Sequence, residues 1–91
     1  MKIKFLPLAK DDFRKATAYY KDIDEKLAIR FKNEIVISID RIISAPKLYR
    51  VIRDDIRKCV VHIFPYSIYY IFEENVIYIY AISNHHKKFQ I

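Results

Sequence analysis

Residues 2–6, KIKFL, alternate charged and apolar side chains with the two-residue period of a short strand, and Pro7 ends the run. From Leu8 to about Lys21 the period changes. Ala9, Phe13, Ala16 and Tyr20 recur at spacings of 4, 3 and 4, which places them on one helical face. Asp22, with Glu25 three residues on, has the form of an N-cap with its capping-box partner. Leu27, Phe31, Ile35, Ile39 and Ile42 then carry a second helical period to a stop before Pro46. Ile29, Val36 and Ile43 widen its apolar arc enough to meet both the first helix and a sheet. Two helices in tandem form a hairpin.

After Pro46 the pattern predicts a polar, basic connection, KLYRVIRDD, and then three strand-like runs at about 56–64, 67–73 and 76–82. Pro65-Tyr66 and Glu74-Asn75 are the expected two-residue turns. Antiparallel pairing about them sets Ile63 opposite Ile68, Val61 opposite Tyr70, Cys59 opposite Phe72, Phe72 opposite Ile77 and Tyr70 opposite Ile79. One sheet face is then apolar: Cys59, Val61, Ile63, Ile68, Tyr70, Phe72, Ile77 and Ile79 are expected beneath the helices. The other carries Lys58, Val60, His62, Tyr69, Ile71, Glu73, Tyr78 and Tyr80, with Lys58 opposite Glu73 and His62 opposite Tyr69. A one-residue slip would mix the two sets, so their separation supports the phase of the pairing. The predicted class is α+β: a short N-terminal strand, a helical hairpin and a three-stranded antiparallel meander, in a single domain over residues 1–91.

Composition narrows the function. The 91 residues are 53% hydrophobic, enough for a core, and carry a formal charge of +6, which favours an anionic partner such as nucleic acid, an acidic protein or a membrane surface. No window supplies the run of about 20 apolar residues that a membrane span needs, and the first twelve residues meet Pro7 and acids before any signal-like apolar segment develops. Cys59 has no cysteine to pair with, so a reducing cytoplasm is the expected compartment. His85-His86 is a poor metal pair, because adjacent ligands on an extended tail point apart, and no metal is expected. A chain without glycine offers no phosphate-cradling loop, and no cofactor is expected either. Within HIFPYSIYY, residues 62–70, rings alternate between the two faces. Tyr69, Tyr78 and Tyr80 beside His62 and Lys58 are expected to form an exposed aromatic, basic surface suited to binding, unless the C-terminal segment or a second copy of the chain covers it.

The order of elements, together with the stretch from Pro46-Lys47-Leu48-Tyr49 through Ile56-Arg57-Lys58 to FPYSIYY, resembles the RelE/ParE superfamily of bacterial toxins, the plasmid-stabilisation proteins. The similarity covers the whole chain, including the apolar last strand, YIYAI at 78–82, and the basic tail His85-His86-Lys87-Lys88. It implies the toxin of a type II toxin-antitoxin pair, held inactive by an antitoxin, expected to be acidic, and meeting DNA only through that antitoxin.

The superfamily implies two activities. RelE-like members cleave messenger RNA in the ribosome, which needs a base for the ribose 2′-hydroxyl, charge stabilisation at the phosphate and an acid for the leaving oxygen. The candidates for these roles are Arg57, Lys58, His85, His86 and Lys87. ParE-like members bind DNA gyrase and have no hydrolytic chemistry of their own. Phe89 stands where the RelE-like branch has a tail tyrosine, and Asn84 where related toxins have a histidine; with the long helical hairpin, these departures favour gyrase over messenger RNA. A decayed toxin that only binds its antitoxin is the third alternative. For any protein partner, target or antitoxin, the expected contacts are Arg53, Arg57, Lys58, His62, Tyr69, Tyr78, Tyr80, Lys87 and Lys88. Arg53, Arg57 and Lys58 also neighbour Asp54 and Asp55, where plain surface ion pairs would explain them as well.

Overall fold

A computed structural model of the protein describes residues 1–86. Strand β1 (Lys2–Phe5) leads into helix α1 (Pro7–Ile23), helix α2 (Glu25–Ser44) and strands β2 (Val51–Arg53), β3 (Ile56–Val60), β4 (Tyr66–Glu73) and β5 (Val76–Asn84). The described strands form one sheet in the order β1-β5-β4-β3-β2, with β1 parallel to β5 and the other neighbours antiparallel. The helical hairpin covers one face. This is the expected α+β architecture with one short strand added: part of the stretch read as a polar connection is β2. Its hairpin with β3 turns at Asp54-Asp55, both with positive φ, a conformation that aspartate tolerates better than most side chains.

Pro7 begins α1 rather than merely ending β1, since its fixed φ and missing N–H suit the first helical position. The helix runs through Asp22, and the break falls at Asp24, whose extended backbone (φ −164°) and Oδ1, accepting from Lys26 N at 3.0 Å, make it the N-cap of α2. Asp22 is therefore not the cap, and Glu25 is the first residue of α2 rather than a capping-box partner. The apolar arc of α2 is also narrower than expected. Ala28, Phe31, Ile35, Ser38 and Ile42 are buried, while Ile29 and Val36 face solvent.

The core lies between hairpin and sheet, and it is there that half of the aromatic-rich stretch is used. Phe31 is surrounded by Tyr20, Phe64 and Tyr66 at ring separations of 5.1, 5.3 and 5.2 Å, edge-on or tilted, with Phe13 stacked at 6.2 Å. Cys59, Val61, Ile68, Tyr70, Ile77 and Ile79 are buried on this face and Phe72 packs against it, as the alternation predicts. Ile63 departs from the expectation. It lies outside β3, which ends at Val60, and is exposed.

The β4–β5 register begins as expected, with Phe72 opposite Ile77 and Tyr70 opposite Ile79. The β3–β4 register differs: Cys59 pairs with Ile68, four residues from the expected Phe72, because residues 61–65 form a wider connection than a two-residue turn. An even displacement keeps every strand side chain on its expected face. It does change partners, so that Lys58 lies opposite Tyr69 rather than Glu73, and His62 leaves the ladder altogether. In β5 a bulge after Ile79 shifts the alternation, placing Tyr80 and Ala81 on the outer side and Ile82 back on the helix side. The Asp12 carboxylate in α1 then accepts from the Ile82 amide at 2.9 Å, which fastens the helix to the strand beyond the end of β1.

Candidate interaction surface on the outer sheet face

The outer face is closed by a second, smaller apolar cluster. Ile56, Tyr69 and Ala81 are buried in it, with Ile52, Ile71 and Tyr80 packed alongside. β2 supplies Ile52 and the β5 bulge supplies the Tyr80-Ala81 pair, so two irregularities build a floor that strict alternation would not give. Tyr69, expected to be exposed, is only 6% so. Burial pushes its hydroxyl toward a higher pKa, partly opposed by a hydrogen bond with Ser67. Ser67 is itself fully buried, and its Oγ lies 2.8 Å from Nε2 of His85. Tyr69, Ser67 and His85 thus form a short polar relay, a feature the sequence gives no signal for, since serine and histidine stand 18 residues apart.

The basic residues divide. Lys58 lies half-buried on the outer face, and Tyr78 and Tyr80 are half-buried with it. Arg53 is exposed at the sheet edge, its Nε 3.4 Å from Asp54 Oδ2. His62 is exposed in the β3–β4 connection. Arg57, which alternation places on the helix side, donates from Nη1 to the Lys47 and Tyr49 carbonyls at 3.0 and 2.7 Å. The same loop is fastened by the Tyr70 hydroxyl, which donates to the Pro46 carbonyl at 2.7 Å. Burial pushes the Tyr70 pKa up to about 12, against the pull of the Arg57 charge. The Cys59 thiol beside them is likewise raised by burial, consistent with a core role.

His85 and His86 are exposed where β5 ends. The His85 amide donates to the Pro65 carbonyl at 2.7 Å and the His86 amide to Asn84 Oδ1 at 2.7 Å. The expectations placed on Lys87, Lys88 and Phe89 lie outside the described residues. A cleft of about 550 Å³ between α1 and this end of β5 is lined by Asp12, Lys15, Tyr19, Tyr20, Pro65 and His86, among others. No group of three metal-ligating side chains occurs among the described residues, and no described helix is long and apolar enough to cross a membrane.

No curated protein matches the chain. Among solved structures it is similar to the chromosomal ParDE TA system from P. aeruginosa, with a TM-score of 0.79 and 17% identity over 92% of this chain and 95% of that one, a likeness of fold. Residues 3–89 match the family described as the ParE toxin of the type II toxin-antitoxin system, parDE. A family match over residues 3–89, nearly the whole length, means that the chain belongs to the ParE family of type II toxins.

Proposed function

We propose that this toxin arrests growth by binding DNA gyrase in the cytoplasm, and that its outer sheet face and basic tail form the surface contacted both by gyrase and by an acidic antitoxin. The observation that carries the reading is the orientation of Arg57. Cleaving a phosphodiester bond calls for a base, an acid and a charge-stabilising group converging on one phosphate. Arg57, the guanidinium best suited to the last task, is turned to the helix side and held on two backbone carbonyls. His85 is tied to a buried serine. Lys58, Tyr78 and Tyr80, which remain on the outer face, supply charge and aromatic area, the means of protein recognition. An acidic, partly disordered antitoxin segment that folds onto this surface would neutralise the toxin by covering it.

The test is to add the purified toxin to gyrase and to translating ribosomes in parallel. Stalled supercoiling with intact message is the expected result. Message cleavage that disappears in a His85→Ala, His86→Ala double variant, with supercoiling unaffected, overturns the reading. Reversal of Lys87 and Lys88 to Glu is expected to weaken both growth inhibition and antitoxin binding, with the binding loss shrinking at high salt as charges are screened.

A further inference from the structure

The β3–β4 connection contains an unusual residue choice. Five non-glycine residues among those described have positive φ: Asp54, Asp55, Ile63, Glu74 and Asn75. Four occupy hairpin turns; three of these are Asp or Asn, the side chains that best tolerate this backbone, and Glu74 shares its turn with Asn75. Ile63, at φ 75°, is β-branched and is the wrong residue for such a position on steric grounds. The Phe64 amide donates to the His62 carbonyl at 2.9 Å, so Ile63 is the centre of a three-residue turn with positive φ, a rare and strained form. Its neighbours fix this geometry. Val61 and Phe64 are buried in the core, the Val61 amide donates to the Tyr66 carbonyl at 2.9 Å, and the Pro65 carbonyl accepts from the His85 amide.

Neither the backbone nor the core explains isoleucine here. The backbone would favour Asn or Gly, and the side chain is 58% exposed. Val60, two residues before His62, is 55% exposed. Two exposed apolar side chains with His62 between them in sequence, on a connection bonded to the His85 backbone, suit a pocket on a protein; a phosphate backbone would be met by cations instead. Strain held in place by its surroundings, on a residue that projects outward, is the signature of a functional contact.

We propose that Ile63 is an apolar anchor by which the toxin holds its protein target, seated in a pocket that is lined by apolar groups and offers a hydrogen-bonding group to the exposed His62 ring. The proposal deepens the gyrase reading by naming a contact, and rests on it only in taking the target to be a protein.

The test uses the full chain with Ile63→Asn, Ile63→Gly and Ile63→Val, measuring Tm and the loss of viable cells on expression without antitoxin. Asn relieves the backbone and adds less freedom to the unfolded chain than Gly does, so Tm is expected to rise by about 4 to 8 °C while growth inhibition falls roughly tenfold or more. Gly is expected to lose inhibition equally, with a smaller gain in Tm because it loosens the unfolded chain. Val keeps the branched apolar side chain and is expected to retain inhibition without a gain in Tm. A residue with only a structural role would not separate the two readouts in opposite directions. An Asn variant that inhibits growth as the parent does, or that melts lower, overturns the proposal. If the parent leaves purified gyrase untouched while the contrast among the Ile63 variants persists, the anchor stands and the choice of gyrase falls.

Discussion

The sheet face beneath the helices and the face turned away from them are built from the same strands, yet they are closed by different means. On the inner face, regular alternation along β3, β4 and β5 aims large side chains at α1 and α2, and the rings around Phe31 complete a continuous core. Among the described residues no helix covers the outer face. A small floor of Ile56, Tyr69 and Ala81 is instead assembled from a short edge strand and a bulge, and Lys58, Tyr78 and Tyr80 are left partly open. The inner face carries the stability of the domain, and the outer face keeps groups that stability alone does not require.

Substitutions can break this division at graded points. Ile79→Ala removes a fully buried side chain from the inner face and is expected to cost about 2 to 5 kcal/mol, read from denaturant unfolding. Arg57→Ala, which deprives the Lys47 and Tyr49 carbonyls of a charged donor, is expected to cost about 1.5 to 3 kcal/mol and to raise amide exchange along the loop between α2 and β2. Ile56→Ala, in the thinner outer floor, is expected to cost about 2 to 2.5 kcal/mol, the transfer value of the three lost carbons alone. Arg53→Ala, at an exposed ion pair, is expected to change stability by about 0 to 1 kcal/mol.

The inner face also sets a limit at alkaline pH. The Tyr70 pKa is raised in the folded state from 10.0 to about 12, so the unfolded chain loses its proton first as pH rises. The corresponding stability is fully present below pH 10 and is lost as the pH climbs through about 12. Burial raises Tyr20, Tyr49 and Tyr69 as well, so Tyr70→Phe should flatten this alkaline limb in part, which Tm measured against pH would show.

The sequence made the inner face legible because alternation depends only on parity. The β3–β4 register lies four residues from the one the pattern predicts, and Cys59, Ile68 and Tyr70 still point where expected, since an even displacement preserves the face. Features that depend on a break in periodicity were not legible. The hairpin at Asp54-Asp55 lacks the Asn-Gly or Asp-Gly pair that marks a tight turn, so β2 and the covering of Tyr69 went unseen. Ile63 continued the apolar pattern of β3, and its positive φ arises from the pinning of Val61 and Phe64 on either side. Arg57 lay in a basic run beside Lys58, and the loop that uses its guanidinium folds over the opposite face. In the candidate site, the location of Lys58, Tyr78 and Tyr80 followed from parity, whereas the Tyr69–Ser67–His85 relay is a tertiary arrangement without a local signature.

The most direct test of the division is to reverse one charge on the outer face. Lys58→Glu, expressed without antitoxin, is predicted to melt within a few degrees of the parent. It is also predicted to lose most of its growth inhibition, because the substitution reverses the charge that the proposed contact surface presents to its target. A Lys58→Glu protein that inhibits growth as fully as the parent would contradict the assignment of the outer face as the working surface of this toxin.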